Sequence, residues 1–218
     1  MSTFDTIAII VNGELPSRER LKEVWRQADC VVCTDGAINK LIEHGLVPQI
    51  VIGDLDSIDP QVRASLCSGV EIHHVACQES TDLDKAFRFA IQRSASTILL
   101  SGLGGGRLDH ALTNMAIVQK FSREVSVRLY EPSGYGVLLV ANGAATQYSF
   151  SGRLGRLVSL VPFGRVEGIT TTGLKFPLRG EPLEWGVREG VSNQSVAEEV
   201  VVTIERGELL LFSDESVF

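Results

Sequence analysis

Gly53-Asp54-Leu55-Asp56-Ser57 places two carboxylates two residues apart, directly after the apolar run Ile50–Ile52. Oxygen donors at that spacing suit Mg²⁺, a hard cation that takes one or two carboxylates together with water and phosphate oxygens. The plain alternative is a loop whose aspartates bond their own backbone. In Ser80-Thr81-Asp82-Leu83-Asp84-Lys85, Thr81 and Asp84 have the spacing of a capping box at a helix start. Asp82 and Lys85 are three apart and share a face of that helix, so one could hold a metal or a reacting hydroxyl and the other a phosphate. Gly102 to His110 runs from glycines through Arg107 to a helix carrying Asp109. Glycines let backbone N–H groups approach an anion, a helix N-terminus favours negative charge, and Arg adds a planar donor fork. His110 is a weaker candidate beside them.

These stretches need elements to carry them. Through the first ~130 residues, short apolar runs alternate with segments of helical spacing, a texture that implies a mainly parallel sheet with helices on both faces. The apolar runs are Thr6–Val11, Cys30–Cys33, Ile50–Ile52, Val70–Val75, Thr97–Leu100 and Val125–Tyr130. The helical segments are Ser17–Ala28, Ala37–His44, Pro60–Leu66, Asp82–Arg93 and Leu108–Phe121. Five of the strands lead into Gly, Asp or other small polar residues. In a parallel sheet those carboxyl ends gather on one edge, where open α/β sheets bind ligands. After Pro132-Ser133-Gly134 the texture changes to β-rich runs separated by Gly, Asn and Pro. That predicts an α/β domain over 1–132 and an all-β sandwich over 133–218. Strands are expected at Val137–Val140, Ala145–Phe150, Leu157–Val161, Gly168–Thr172, Val200–Ile204 and Leu209–Phe212.

The 218 residues carry a formal charge of −7 with 44% hydrophobic and 22% charged residues, a globular balance that excludes extensive disorder. An acidic chain is a poor match for non-specific nucleic-acid binding, which needs a basic surface. No apolar run is long enough to span a bilayer, and Met1-Ser2-Thr3-Phe4-Asp5 lacks the features of a signal peptide, so the expectation is a soluble cytoplasmic protein without membrane or nucleic-acid partners. Of four cysteines, Cys30 and Cys33 form a C-x-x-C within a strand-like run, where residues three apart face opposite ways. With no second C-x-x-C to complete a zinc site, both read as buried hydrophobes. The chain lacks G-x-x-x-x-G-K-S/T, and Gly102–Gly106 is not a G-x-G-x-x-G after the first strand, which excludes a P-loop and argues against a nicotinamide cofactor.

Asp35-Gly36-Ala37, GDLDS at Gly53–Ser57, STDLDK at Ser80–Lys85 and GGRLDH at Gly105–His110 together resemble, in order and spacing, the motifs of the thiamine pyrophosphokinase family. Downstream, Gly173-Leu174-Lys175-Phe176-Pro177-Leu178 and Ser192-Asn193 are similar to that family's G-L-K-W/Y-x-L and S-N elements. The resemblance spans essentially the whole chain. It departs at Phe176, often Trp or Tyr in the family, and at Arg188-Glu189-Gly190-Val191, where many members carry further Ser or Thr. It implies an ATP-binding catalytic α/β domain, a β-sandwich for thiamine binding and dimerisation, and a homodimer with active sites between subunits. The implied reaction transfers pyrophosphate from ATP to the thiamine hydroxyl with Mg²⁺, giving thiamine diphosphate and AMP. Carried over by residue, Asp54, Asp56 and Asp82 are metal and catalytic acids, and Lys85, Arg107 and Asp109 join them in catalysis. Asp35, Gly36, Ser57, Gly104, Gly105, Gly106 and Arg107 contact the nucleotide. Gln78, Thr81, Phe176, Ser192 and Asn193 contact thiamine. Phe176 or Trp185 could stack on the cationic thiazolium, packing in a core or interface being the other reading of both. Three other functions share many of these features: a pyrophosphokinase or phosphatase for another alcohol such as a pterin, a non-catalytic nucleotide-binding or thiamine-binding protein, and an interaction protein.

Overall fold

A computed structural model of the chain describes residues 3–66, 69–77 and 79–218. The chain divides into two compact units, Met1–Pro132 and Ser133–Phe218.

The first unit contains β1 (Thr6–Ile10), α1 (Arg18–Gln27), β2 (Cys30–Thr34), α2 (Ala37–Glu43), β3 (Ile50–Gly53) and α3 (Pro60–Ser65). They are followed by β4 (Glu71–His74), α4 (Asp82–Gln92), β5 (Thr97–Ser101), α5 (Leu108–Phe121) and β6 (Ser126–Glu131). The strands form a parallel sheet in the order β4-β3-β2-β1-β5-β6. Strands β2 and β3 are buried at every residue and β1 at all but Thr6. Covered on both faces, they read as continuous apolar runs rather than alternating ones. The order steps from β1 out to β4 and then restarts on the other side with β5. Right-handed crossovers therefore put α1, α2 and α3 on one face and α4 and α5 on the other. Helix starts follow capping chemistry: the Ser17, Asp59 and Thr81 side chains accept from the backbone N–H groups of Arg20, Gln61 and Asp84.

Only half of the anticipated capping box forms on α4. Thr81 Oγ1 accepts from Asp84 N at 3.3 Å, but the Asp84 carboxylate turns away to Lys120 of α5 and Arg88. A buried carboxylate gains more from two cations than from one backbone N–H. Cys30 and Cys33 are buried free thiols, and burial pushes the Cys30 thiol up to about 11, so neither is a ready nucleophile. Cys67 lies outside the described residues.

The second unit is all β: β7 (Gly134–Ala141), β8 (Thr146–Ser151), β9 (Leu157–Thr172), β10 (Arg179–Glu184), β11 (Gly190–Gln194), β12 (Glu199–Ile204) and β13 (Arg206–Ser213). Its pairings are antiparallel. The strands expected at Leu157–Val161 and Gly168–Thr172 are two ends of one strand, β9. Its first half pairs with β13 and β11, its second with β12 and β10, so β9 belongs to both layers of the sandwich. Side chains from both layers meet in one core, including Leu139, Leu209 and Leu211 with Phe150, Val200 and Val202. Two strands were not anticipated. β10 and β11 are short and irregularly registered, and they lack an alternating apolar pattern.

Candidate active site

The loops after β1, β2, β3 and β5 and the segment after β4 line one cleft of about 710 Å³ in the first unit. It opens where β1 and β5 lie side by side and the strand order reverses, the position at which open α/β sheets bind ligands.

Asp35 stands just after β2 and is 3% exposed. Its Oδ1 accepts from Gly36 N at 2.6 Å and its Oδ2 from Leu55 N at 2.9 Å. Burial, reinforced by the charge of Asp82, pushes its carboxyl up to about 6 despite those two donors. Leu55 has φ +68°, a left-handed conformation costly for a leucine. This turn aims Leu55 N at Asp35 and folds Asp54 and Asp56 toward the same point. Carboxylate oxygens of Asp35, Asp54 and Asp56 all lie within 4.8 Å of one another. The backbone N–H of Asp56 donates to Asp54 and holds that carboxyl below the usual range. Gly53 is required for this approach, since a Cβ there would sit 2.7 Å from Asp35 Cγ.

The family resemblance implies a grouping of Asp54 and Asp56 with Asp82. The carboxylates that lie within 4.8 Å of one another are Asp54 and Asp56 with Asp35. Asp82 lines the same cleft, but its Oδ1 accepts from Lys85 Nζ at 2.8 Å. The Lys85 side chain is only 5% exposed, so this pair is fixed on the first turn of α4. Thr81 also lines the cleft.

On the β5 side, Gly104, Gly106, Arg107, Asp109 and His110 line the cleft. Arg107 Nε donates to Asp109 Oδ1 at 3.1 Å, and that hydrogen bond holds the Asp109 carboxyl down at about 2. Both side chains are exposed at the mouth. Gly36 and Gly105 are not in the wall: Gly36 N is used by Asp35, and Gly105 packs against Glu14. Ser57 is in the wall, and its hydroxyl donates to Asp56 Oδ1 at 2.9 Å.

Several polar residues that brace this edge carry no local motif. Asn39 of α2 donates to Ser57 O at 2.9 Å and accepts from Asp59 N at 3.0 Å, clamping the acidic loop with both ends of its amide. Lys40 Nζ donates to the carbonyls of Asn12 and Gly13 at 2.9 and 2.7 Å. Gly13 in turn meets the glycine-rich loop so closely that a Cβ would lie 2.2 Å from the Gly102 and Gly104 oxygens. These residues act across long sequence separations, and a helical spacing of polar residues is their only local signal.

In the second unit a smaller cavity of about 220 Å³ is lined by Phe176, Asn193, Leu160 and Arg188, among others. Asn193 is buried; it accepts from Phe176 N at 3.1 Å and donates to Phe176 O at 2.7 Å, fixing the backbone of that aromatic. Ser192 is on the same strand but outside the cavity wall, with φ +59°. Phe176 and Trp185 are 61% and 57% exposed, which rules out the core reading for both. Gln78 lies outside the described residues.

A parallel sheet with this cleft at its strand-end edge, joined in one chain to a β-rich unit, makes this a two-unit α/β protein with a ligand site at the sheet's switch point. The family model described as "Thiamin pyrophosphokinase, catalytic domain" matches residues 21–130, just over half the chain, and "Thiamin pyrophosphokinase, vitamin B1 binding domain" matches residues 147–209. The chain belongs to the thiamine pyrophosphokinase family. It is 26% identical over 222 residues to thiamin pyrophosphokinase 1 of Caenorhabditis elegans, covering 96% of this chain and 89% of that protein. It is 27% identical over 184 residues to thiamine pyrophosphokinase of Bacillus subtilis, covering 78% and 80%. Its fold is similar to the crystal structure of the Bacillus subtilis enzyme, with a TM-score of 0.81 at 23% identity over 95% of this chain and 98% of that one. Thiamin pyrophosphokinase from Candida albicans superposes equally well, with a TM-score of 0.81 at 17% identity over 95% and 88%.

Proposed function

We propose that this chain is a thiamine diphosphokinase: it transfers pyrophosphate from ATP to the hydroxyl of thiamine, giving thiamine diphosphate and AMP. The observation that carries the reading is the convergence of Asp35 and Asp54, with Asp56 beside them, the Asp82–Lys85 pair, Arg107 and a glycine-rich loop on one cleft, in a chain whose family models name both a catalytic and a vitamin B1 binding domain.

The donor set fits Mg²⁺. Asp35, Asp54 and Asp56 offer hard oxygens within 4.8 Å of one another, and the crowding of negative charge around buried Asp35 is what a divalent cation relieves. Asp54 and Asp56 would hold the ion with Asp35, and Asp82 stands in the same wall. When bound, Mg²⁺ supplies charge neutralisation for the phosphate oxygens. Phosphoryl chemistry depends mainly on positioning and electrostatics. Lys85, held by Asp82, offers a fixed ammonium to the triphosphate, and Arg107 with the Gly104 and Gly106 backbone receives it at the mouth. The thiamine oxygen bonds to the β-phosphorus as the bond from that phosphorus to the α,β-bridging oxygen breaks and AMP leaves. In this reading Asp82, hydrogen-bonded by Lys85, takes the hydroxyl proton.

Phe176, Ser192 and Asn193 are assigned to thiamine, with Asn193 setting the Phe176 backbone and the exposed ring available to a cationic heterocycle, a contact of about 0.5–2 kcal/mol. We assign a homodimeric state, supported by the exposed apolar side chains of Phe176, Trp185, Val187 and Val191. A cytoplasmic setting agrees with the free buried thiols of Cys30 and Cys33. Among the described residues no helix is long and apolar enough to cross a membrane.

The test supplies the purified protein with ATP and Mg²⁺ and, in parallel, thiamine, a hydroxymethylpterin or no alcohol. AMP release that requires thiamine supports the reading. AMP release driven by the pterin, or ADP as product, overturns it.

A further inference from the structure

Glu131 ends β6 and is unused by the chemistry above, yet it is half-buried behind the glycine-rich loop. Its Oε1 accepts from Leu103 N at 3.1 Å. From the opposite side, Asn114 of α5, itself buried, donates its amide N–H to Leu103 O at 2.9 Å. The neighbouring carbonyls are also engaged: Gly13 N donates to Gly102 O at 2.9 Å and Glu14 N to Gly104 O at 2.7 Å. The first half of the loop is thus tied to β6, α5 and the segment after β1, while Gly105, Gly106 and Arg107 stand exposed.

We propose that Glu131 is a positioning residue for the nucleotide: its carboxylate occupies the Leu103 N–H and, with Asn114 holding the carbonyl of the same residue, presets the loop so that Gly104, Gly106 and Arg107 face the cleft. Flexible glycines gain an anion-binding geometry only if something fixes their backbone before the ligand arrives, because ordering them on binding costs affinity. A carboxylate is the acceptor suited to this role. It takes backbone N–H groups in a concave loop as a phosphate would, and so substitutes for ligand on the side facing the core. Burial pushes the Glu131 carboxyl up to about 7, and the N–H groups of Leu103, Gly102 and Gly104 oppose that shift by favouring the carboxylate.

The inference rests on the loop receiving the triphosphate, so its test separates the two claims. Steady-state kinetics of the full chain compare wild type, Glu131→Ala, Glu131→Gln and Asn114→Ala, varying MgATP and thiamine separately. Amide hydrogen exchange is followed over residues 102–107 without substrate. Glu131→Ala is expected to raise KM for MgATP about tenfold, the size of one lost hydrogen bond to a charged group, with KM for thiamine unchanged and faster exchange in the loop. Asn114→Ala gives the same split. Glu131→Gln, which keeps an acceptor oxygen, stays near wild type. The proposal is overturned if KM for both substrates rises together, if the loop exchanges at the wild-type rate in Glu131→Ala, or if Gln is as impaired as Ala. Should Glu131→Ala not fold, Asn114→Ala and Glu131→Gln decide the question. Should the wild type fail to use thiamine, the function is wrong, and the exchange data still judge the latch.

Discussion

Asp54, Asp56, Lys85 and Arg107 could be singled out from the sequence because each sits in a short motif whose spacing is itself a geometric statement. Asp35 could be seen but not placed. Its partnership with Asp54 and Asp56 depends on Leu55 adopting a left-handed backbone, which no propensity for leucine foretells. Asn39 was invisible because its function is a pair of hydrogen bonds to backbone atoms 18 and 20 residues away. Those bonds make a prediction. Asn39→Ala removes the clamp on the acidic loop and leaves the carboxylates in place, so the Mg²⁺ concentration giving half-maximal activity should rise about fivefold to tenfold, as expected for one or two lost hydrogen bonds. KM for thiamine should stay within about twofold. A metal titration of activity in the folded variant checks this, and an unchanged Mg²⁺ requirement would remove Asn39 from the support of the site.

At the scale of elements, nearly every helix and strand of the first unit was legible because apolar runs and 3.6-residue periodicity are local signals. The boundaries shifted by one or two residues, as frayed ends do. In the second unit β10 and β11 escaped because their pairing with β9 is irregular, and β9 read as two strands because a bulged stretch with Gly164 and Gly168 interrupts its alternation. One tie between elements matters for the site. Asp84 of α4, 5% exposed, binds Lys120 of α5 and Arg88 of its own helix. It joins the helix carrying Asp82 and Lys85 to the helix carrying Asp109. Burial raises the Asp84 carboxyl, but Lys120 and Arg88 more than offset that, so it sits below the usual range. A depressed folded-state value stabilises the protein above the unfolded value, ~3.9, and that stability is lost as pH falls through the folded value. Asp84→Asn should therefore destabilise by about 1–3 kcal/mol at pH 7, a cost set by leaving two cations without their partner. The gap from wild type should close as pH falls below the depressed folded-state value of Asp84. Urea melts of both proteins from pH 7 downward measure it, and a pH-independent gap would show that packing rather than charge makes the tie.

At the scale of the whole molecule, the texture change after Pro132 and the alternation before it made the fold class readable, because burial on both faces and burial on one face write different patterns. The site was readable only as fragments. A parallel sheet turns five separate strand ends into one edge, and the strand order decides which ends become neighbours. The chemistry therefore depends on that edge acting as a single reaction centre. ³¹P NMR of ATP, Mg²⁺ and thiamine incubated with wild type and with folded Asp54→Asn tests this most directly. The account predicts that wild type forms AMP and thiamine diphosphate one for one, and that Asp54→Asn slows both about 10²–10³-fold, as loss of a charge-organising group does. Wild-type turnover in Asp54→Asn, or conversion of ATP to ADP by the wild type, would contradict it.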